Sequence, residues 1–508
     1  LPKGEGVLQL PQFYNIKCFI KMSNIYVIGA GIGGIAAALR LRARGYNVTI
    51  LEKCADAGGR ARRFNVGGYI FDAGPTVITA PYLFNELLAL FNEKIEDYVT
   101  IKPLSPIWYR YQYFDGTTLD YGEKDFFLAQ IESQFPDDKA GYIALYQFAE
   151  KIFELGYIDL SDQPFERLSM MLKQLPSILR LRGYKSVYGL VADYIKSPKL
   201  RQALCTAPLL LGGNPKTASA IYFLVHILEQ RYGVHYAMGG TGALVEALIL
   251  LAKRQGINIE YNKNVCDMQI ADGRIHTLLC EDGTSYNADR VVYNGDPAYL
   301  YRHIIARNKQ SLFTKIKSKY NAASMGLLVV YFVCKKSYSE IAHHTVGFSK
   351  SYELVLKDIF DKGKLSKDFS FYLHRPAATD PNAAKDGEDA FYVLVPVPNL
   401  KYKQWSEAEY AEYSEHIITQ LEIRLLPELR SHLIAKHHIS PLYFRDALLS
   451  EHGSGFSLQP LLTQSAWFRY HNQDARIKNL YLVGAGTHPG AGLPGVLNSA
   501  KIIEKAMS

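Results

Sequence analysis

The chain has 508 residues, 48% of them hydrophobic and 21% charged, a globular composition too long for one compact core, so two domains are expected. A formal charge of +8 is small for this length and argues against a nucleic-acid binder, so any basic effect is local. The 6 cysteines are scattered without a C-x-x-C or paired-histidine spacing, which speaks against a zinc site or disulfide framework and favours a reducing, cytoplasmic setting.

Residues 1–21 precede Met22 and carry neither a basic segment followed by a true apolar one nor a small-residue cleavage site; they are expected to be an extension outside the fold. Ile25 to Ile28 is a short β-branched run, Gly29, Gly31 and Gly34 fit G-x-G-x-x-G, and Ile35 to Arg44 carries apolar residues at helical spacing. The pattern predicts strand, tight turn and helix. Gly29 permits the turn, Gly31 lets backbone approach a pyrophosphate, Gly34 lets the helix pack on the strand, and the helix N-terminus offers N–H groups to phosphate. A second strand, Asn47 to Leu51, ends at Glu52, the acidic residue expected about 20 positions past the loop to accept ribose hydroxyls. The loop binds a dinucleotide and does not distinguish NAD from FAD.

Gly58-Gly59-Arg60-Ala61-Arg62 places two guanidinium groups after this strand, suited to phosphate oxygens or to an exposed basic turn. Tyr69 to Thr76 reads as a strand ending in a Gly74-Pro75 turn. With G-x-G-x-x-G, Glu52, Gly58-Gly59-Arg60 and Phe71-Asp72-Ala73-Gly74-Pro75-Thr76, the chain resembles the N-terminal region of FAD-dependent amine oxidases, protoporphyrinogen oxidase and the carotenoid desaturases. The resemblance implies FAD, with Gly29, Gly31 and Gly34 at its pyrophosphate, Glu52 on its ribose, and Lys53, Arg60 and Gly74 along it.

Asn92 to Tyr236 reads as a largely helical insertion. Within it, Arg167 to Ala192 has no acidic residue and mixes Arg167, Lys173, Arg180, Arg182 and Lys185 with leucines and methionines. Such a stretch suits a membrane interface, or a surface helix whose apolar side is core. The turn Met238 to Gly242 feeds a helix, Ala243 to Gln255. Strands Asn258 to Tyr261, Val265 to Ile270 and Ile275 to Cys280 follow, the last two joined by an Asp272-Gly273 hairpin. By resemblance, Val265 lies on the strand over the adenine and Asn294 to Pro297 closes this part of the cofactor domain. Ala298 to Trp467 forms a second insertion with strands Leu327 to Cys334 and Phe391 to Val397. No metal is expected at His343-His344, because no further His, Cys or carboxylate lies at ligand spacing.

Asn479 to Ser499 is an apolar strand entering a glycine-rich loop, Gly484 to Gly492, that opens a last helix from Pro494 to Met507. A helix N-terminus there suits the electron-rich end of a reduced flavin. Together with Gln464 to Arg469, this run resembles the bacterial-type phytoene desaturases, and the likeness spans Met22 to Ser508. It implies an α/β fold in which a Rossmann-like, amine-oxidase-type FAD-binding domain (22–95, 237–298 and 468–508) is interleaved with insertions (96–236 and 299–467). These form a mixed α+β substrate domain and a helical membrane-associating part. Gly486 and Val496 are implied beside the flavin.

The implied reaction is desaturation of phytoene to lycopene, or to a partly desaturated carotene, by hydride transfer to flavin N5 and loss of a proton. The implied partners are a nonpolar polyene, a lipid surface at which the protein is peripherally bound, and oxygen or a quinone as electron acceptor. Related alternatives are C30 dehydrosqualene desaturation, carotene isomerisation and carotenoid oxidation; a non-catalytic prenyl-lipid carrier would not need the intact cofactor loops. Asp296, Glu451 and His488 lie in or near the motifs, and none is singled out as the proton acceptor.

Overall fold

A computed structural model describes residues 21–507. The expected N-terminal extension falls on 1–20, outside the described residues, and the first strand begins one residue before the expected boundary, at Lys21. That strand, Lys21–Ile28, is the middle of a five-stranded parallel sheet ordered Leu480–Leu482, Arg290–Tyr293, Lys21–Ile28, Tyr46–Leu51, Asn258–Glu260. Val27, Val48, Ile50, Val291, Val292 and Leu480 are all buried, the continuous apolar filling that a parallel sheet covered on both faces requires. Helix Ile32–Ala43 packs on this sheet and against the last helix, Leu493–Met507. Arg40 joins the two helices through Glu504 at 2.8 Å. Stretches of chain more than 400 positions apart also meet at the first glycine turn, where Gly484 lies against Gly33.

A three-stranded antiparallel sheet, Val265–Ala271, Arg274–Cys280 and Ser285–Asn287, follows the predicted hairpin, with Asp272 and Gly273 both at positive φ. The insertions build a seven-stranded sheet in the order Leu433–Ile439, Gly326–Cys334, Asp389–Val397, Phe371–His374, His344–Gly347, Ile107–Gln112, Thr118–Gly122. Its last two strands interrupt the segment Asn92 to Tyr236, which is largely helical as expected. Tyr109 and Tyr111 alternate with less buried Arg110 and Gln112, a two-residue period, and a loop carrying Asp115-Gly116 turns the hairpin.

Most of the rest of that segment is helical, including Lys139–Phe153, Leu168–Arg180 and Leu224–Tyr232, with a short strand pair, Ile101–Pro103 and His235–Ala237, near its ends. In Leu168–Arg180 only Met171 and Ile178 are buried, whereas Leu168, Leu172, Leu175 and Leu179, spaced along one stripe, face solvent. Most of its apolar side is therefore not core. Among the described residues, no helix is long and apolar enough to cross a membrane.

Candidate functional site

The turn after Ile28 shapes one end of the site. Gly29 sits at φ +99°, a conformation that side chains resist, and its N–H bonds to Leu51 O at 2.8 Å, tying the turn to the second strand. A Cβ on Gly31 would stand 2.9 Å from Asn294 Nδ2, and one on Gly33 2.7 Å from Asn294 Oδ1. No side chain caps the N-terminus of Ile32–Ala43, which begins at this bare turn. The result is a backbone-lined cradle at the positive end of a helix, which fits a diphosphate.

Glu52 is buried at the cradle's edge. Its Oε2 accepts from Ala30 N–H at 2.6 Å and its Oε1 from Cys54 N–H at 2.8 Å, which fixes the carboxylate and leaves lone pairs for hydroxyl donors. Lys53 also borders the cavity, with its ammonium on the carbonyls of Asp446 and Ala447 at 2.9 and 3.3 Å. Arg60 is not a solvated turn residue: it donates to Gly455 O at 2.7 Å and Ser450 Oγ at 2.9 Å, and burial lowers its pKa while Asp296 opposes the shift. Arg62 turns instead to Asp56 and the Tyr443 hydroxyl. A Cβ on Gly74 would lie 2.9 Å from Arg60 O, so the second strand hairpin and the arginine turn are in close backbone contact.

The C-terminal loop supplies the opposite wall through Gly484, Ala485 and the run from His488 to Val496. Of the ten residues expected at the cofactor, Gly29, Gly31, Glu52, Lys53, Arg60, Gly74, Val265 and Val496 border one cavity. Gly486 is not among the residues on its wall; a Cβ there would overlap the Pro297 ring, so the loop packs closely against Pro297 at this point. Gly34 is likewise not among the residues on its wall, and a Cβ there would run into the Gly29 carbonyl, the close helix–strand approach expected of it. Asn294, which the resemblance places only at the close of the cofactor domain, has a larger part. It faces Gly31 and Gly33 on one side and Gly484 on the other, and donates to Gly29 O at 3.3 Å, so it joins the first loop to the last.

The cavity measures about 530 Å³, within the usual range for ligand sites. From the loops it passes Thr76, Tyr372 and Tyr392 into a chamber walled by Ile152, Leu155, Phe165, Met171, Ile178 and Leu228. Of the three acid–base residues near the motifs, Asp296 accepts from Ala298 N–H, Ser457 Oγ and Glu451 N–H and holds the loop. Glu451 pairs with Arg302 at 2.7 Å and lies off the cavity wall. His488 borders the cavity; its Nε2 meets Leu160 O at 3.2 Å, its Nδ1 is buried without a partner, and burial pulls its pKa down to about 4.

His343 and His344 have a third neighbour that sequence spacing did not reveal. Strand pairing sets His344 opposite His374, and ring nitrogens of the three buried imidazoles lie within 4.8 Å of one another, which corrects the ground on which the pair was judged isolated. Burial holds them neutral, pushing His343 down to about 3.

Residues 32–502 match the family of flavin containing amine oxidoreductases. The chain is 42% identical over 484 residues to a lycopene-forming phytoene desaturase of Paracoccus sp., covering 95% of this chain and 96% of that protein. It is 39% identical over 490 residues to a neurosporene-forming phytoene desaturase of Rhodobacter capsulatus, covering 95% and 93%. In fold it is similar to cyclohexylamine oxidase of Brevibacterium oxydans, with a TM-score of 0.61 at 15% identity over 96% of this chain and 98% of that one.

Proposed function

The chain belongs to the flavin-containing amine oxidoreductases, on their phytoene desaturase branch, and on that premise we propose that it is an FAD-dependent enzyme that desaturates phytoene to lycopene. The observation that carries this reading is the single cavity joining a dinucleotide cradle to an apolar chamber, so that cofactor and polyene share one water-poor space. The segments 22–95, 237–298 and 468–508 form the cofactor domain, and the insertions 96–236 and 299–467 form the substrate part.

Bound FAD supplies the two-electron acceptor, which no side chain can provide. Gly31, Gly33 and the start of Ile32–Ala43 would hold its diphosphate, Glu52 its ribose, and Gly484, Ala485 and Val496 its redox ring. Arg60 and Asn294 fix the loops that do so. The chain's own work is then orientation and dryness. Apolar walls bind a hydrocarbon at roughly 25 cal/mol per Å² buried and keep water from the reacting carbons.

The helix Leu168–Arg180 is the route in. Met171, Gln174 and Ile178 border the cavity while the leucine stripe and Arg167, Lys173 and Arg180 face outward. This geometry supports docking on anionic lipid, with the polyene passing from the bilayer into the chamber. Oxygen or a quinone reoxidises the cofactor. Anaerobic mixing of FAD-loaded protein with phytoene in liposomes tests the reading: loss of the oxidised-flavin absorbance is expected, and an unchanged spectrum with FAD still bound would contradict it.

A further inference from the structure

The apolar chamber contains one buried carboxyl that the preceding account does not use. Glu229 lies on helix Leu224–Tyr232, is only 6% exposed, and stands between the cavity it borders with Thr76 and Tyr372 and a small pocket lined by Tyr109, Tyr121 and His226, the groups that hold its carboxyl. Tyr109 donates its hydroxyl to Oε1 at 2.9 Å and Tyr121 donates to Oε2 at 3.1 Å. Behind Tyr121 stands His226, whose Nδ1 meets the Tyr121 oxygen at 3.1 Å and whose Nε2 meets the Tyr142 hydroxyl at 3.1 Å. With Tyr121 donating to the carboxylate, its oxygen takes the Nδ1–H of His226, and Nε2 in turn takes the Tyr142 proton. Every proton in this chain then points toward Glu229.

Two hydroxyl donors and a polarised chain behind one of them favour the ionised carboxyl, yet no lysine or arginine shifts its pKa; burial raises it to about 7 and the two tyrosines oppose the shift. The titratable groups packed around it are Tyr109, Tyr111, Tyr121 and His226, with His226 held neutral by burial. A carboxylate without a countercharge beside a chamber built for hydrocarbon is costly to keep ionised, and the two tyrosine hydroxyls are what offset that cost.

We propose that Glu229 is the catalytic base of the desaturation. The inference rests on the reaction proposed above. Converting a CH–CH pair to C=C removes two hydrogens: one leaves with its bonding electron pair, which the oxidised flavin accepts, and the other leaves as a proton. Glu229 takes that proton on a carboxylate oxygen, and the C–H electrons it leaves behind become the new π bond. Its negative charge also opposes the positive charge that develops on the polyene. His488 offers the cavity a free Nδ1, but a neutral imidazole becomes a cation on accepting a proton and so cannot stabilise a neighbouring carbocation in this way.

The test is the single-turnover rate of flavin reduction by phytoene, measured anaerobically in liposomes from pH 6 to 8 on FAD-loaded protein. The wild-type rate is expected to rise with pH and level off above about 7, where Glu229 is ionised. Glu229→Gln keeps the shape and is expected to retain FAD and the spectral change on phytoene binding, while the rate falls by about 10²-fold or more and loses its pH dependence. Tyr121→Phe removes one donor to the carboxylate and should move the limb to higher pH, which a merely structural contact would not do. A wild-type profile flat across this range overturns the assignment, as does a Glu229→Gln rate within about threefold of wild type. If the wild-type protein binds phytoene and leaves it unchanged, the proposed reaction itself falls, and the assignment with it.

Discussion

Replacing Leu168, Leu172, Leu175 and Leu179 together by serine should detach the protein from lipid at a temperature where it is still folded. These side chains are 48%, 58%, 46% and 53% exposed, the solvent-facing equivalent of roughly two whole leucines. Burying a leucine side chain stabilises by about 1.5–3 kcal/mol, so inserting the stripe in the interface contributes about 3–6 kcal/mol. At 1.4 kcal/mol per tenfold, the substitutions should weaken partitioning by about two to four orders of magnitude. Arg167, Lys173 and Arg180 add about 1 kcal/mol each on anionic lipid, a part that salt screens and the leucine part does not share. Co-sedimentation with neutral and anionic liposomes at low and high salt separates the two. Because about half of each side chain is also covered by protein, the variant is expected to lose some Tm, and Tm and flavin content measured beside sedimentation separate detachment from unfolding. Sedimentation equal to wild type on both lipids would refute the docking argument.

Gly34→Ala and Gly31→Ala should fail differently. At Gly34 the new methyl meets a backbone carbonyl that cannot swing aside, so a loss of about 1–3 kcal/mol in stability is expected along with loss of FAD. At Gly31 it meets the movable amide of Asn294 and stands in the cradle, so Tm should hold while flavin content falls; equal Tm losses would contradict the assignment of Gly34 to packing. His226 is buried and neutral, its pKa lowered to about 3, so between pH 6.5 and that value the unfolded chain binds the extra proton and stability falls as pH falls. Between pH 7 and 5 this costs about 2 kcal/mol, and His226→Gln, which can still bond both tyrosine hydroxyls, should show a smaller drop in Tm over that range; an equal drop would show that His226 does not carry the effect.

The parts legible in the sequence are those whose chemistry is local. The G-x-G-x-x-G turn, Glu52 at a strand end and the Asp272-Gly273 hairpin depend on residues a few positions apart, and each sits where the pattern places it. The last loop was legible as a motif, but only packing shows that Pro297 fills the space where a Cβ of Gly486 would stand. Glu229 precedes Gln230 and Arg231 and reads as the polar face of a surface helix; its burial comes from a hairpin more than 100 positions earlier, the same Ile107–Gln112 and Thr118–Gly122 pair that went unrecognised. His374 joined His343 and His344 by strand register, which no spacing rule along one strand can report. The leucine stripe showed its amphipathic pattern in the sequence, yet which side was core could be decided only by what packs against Met171 and Ile178.

The most direct test is the stoichiometry of one turnover. FAD-loaded protein, held anaerobically with excess phytoene in liposomes and no added electron acceptor, should form one new carbon–carbon double bond for each flavin reduced and then stop. Continued desaturation after the flavin is fully reduced, or a desaturated carotene formed while the flavin stays oxidised, would contradict the account.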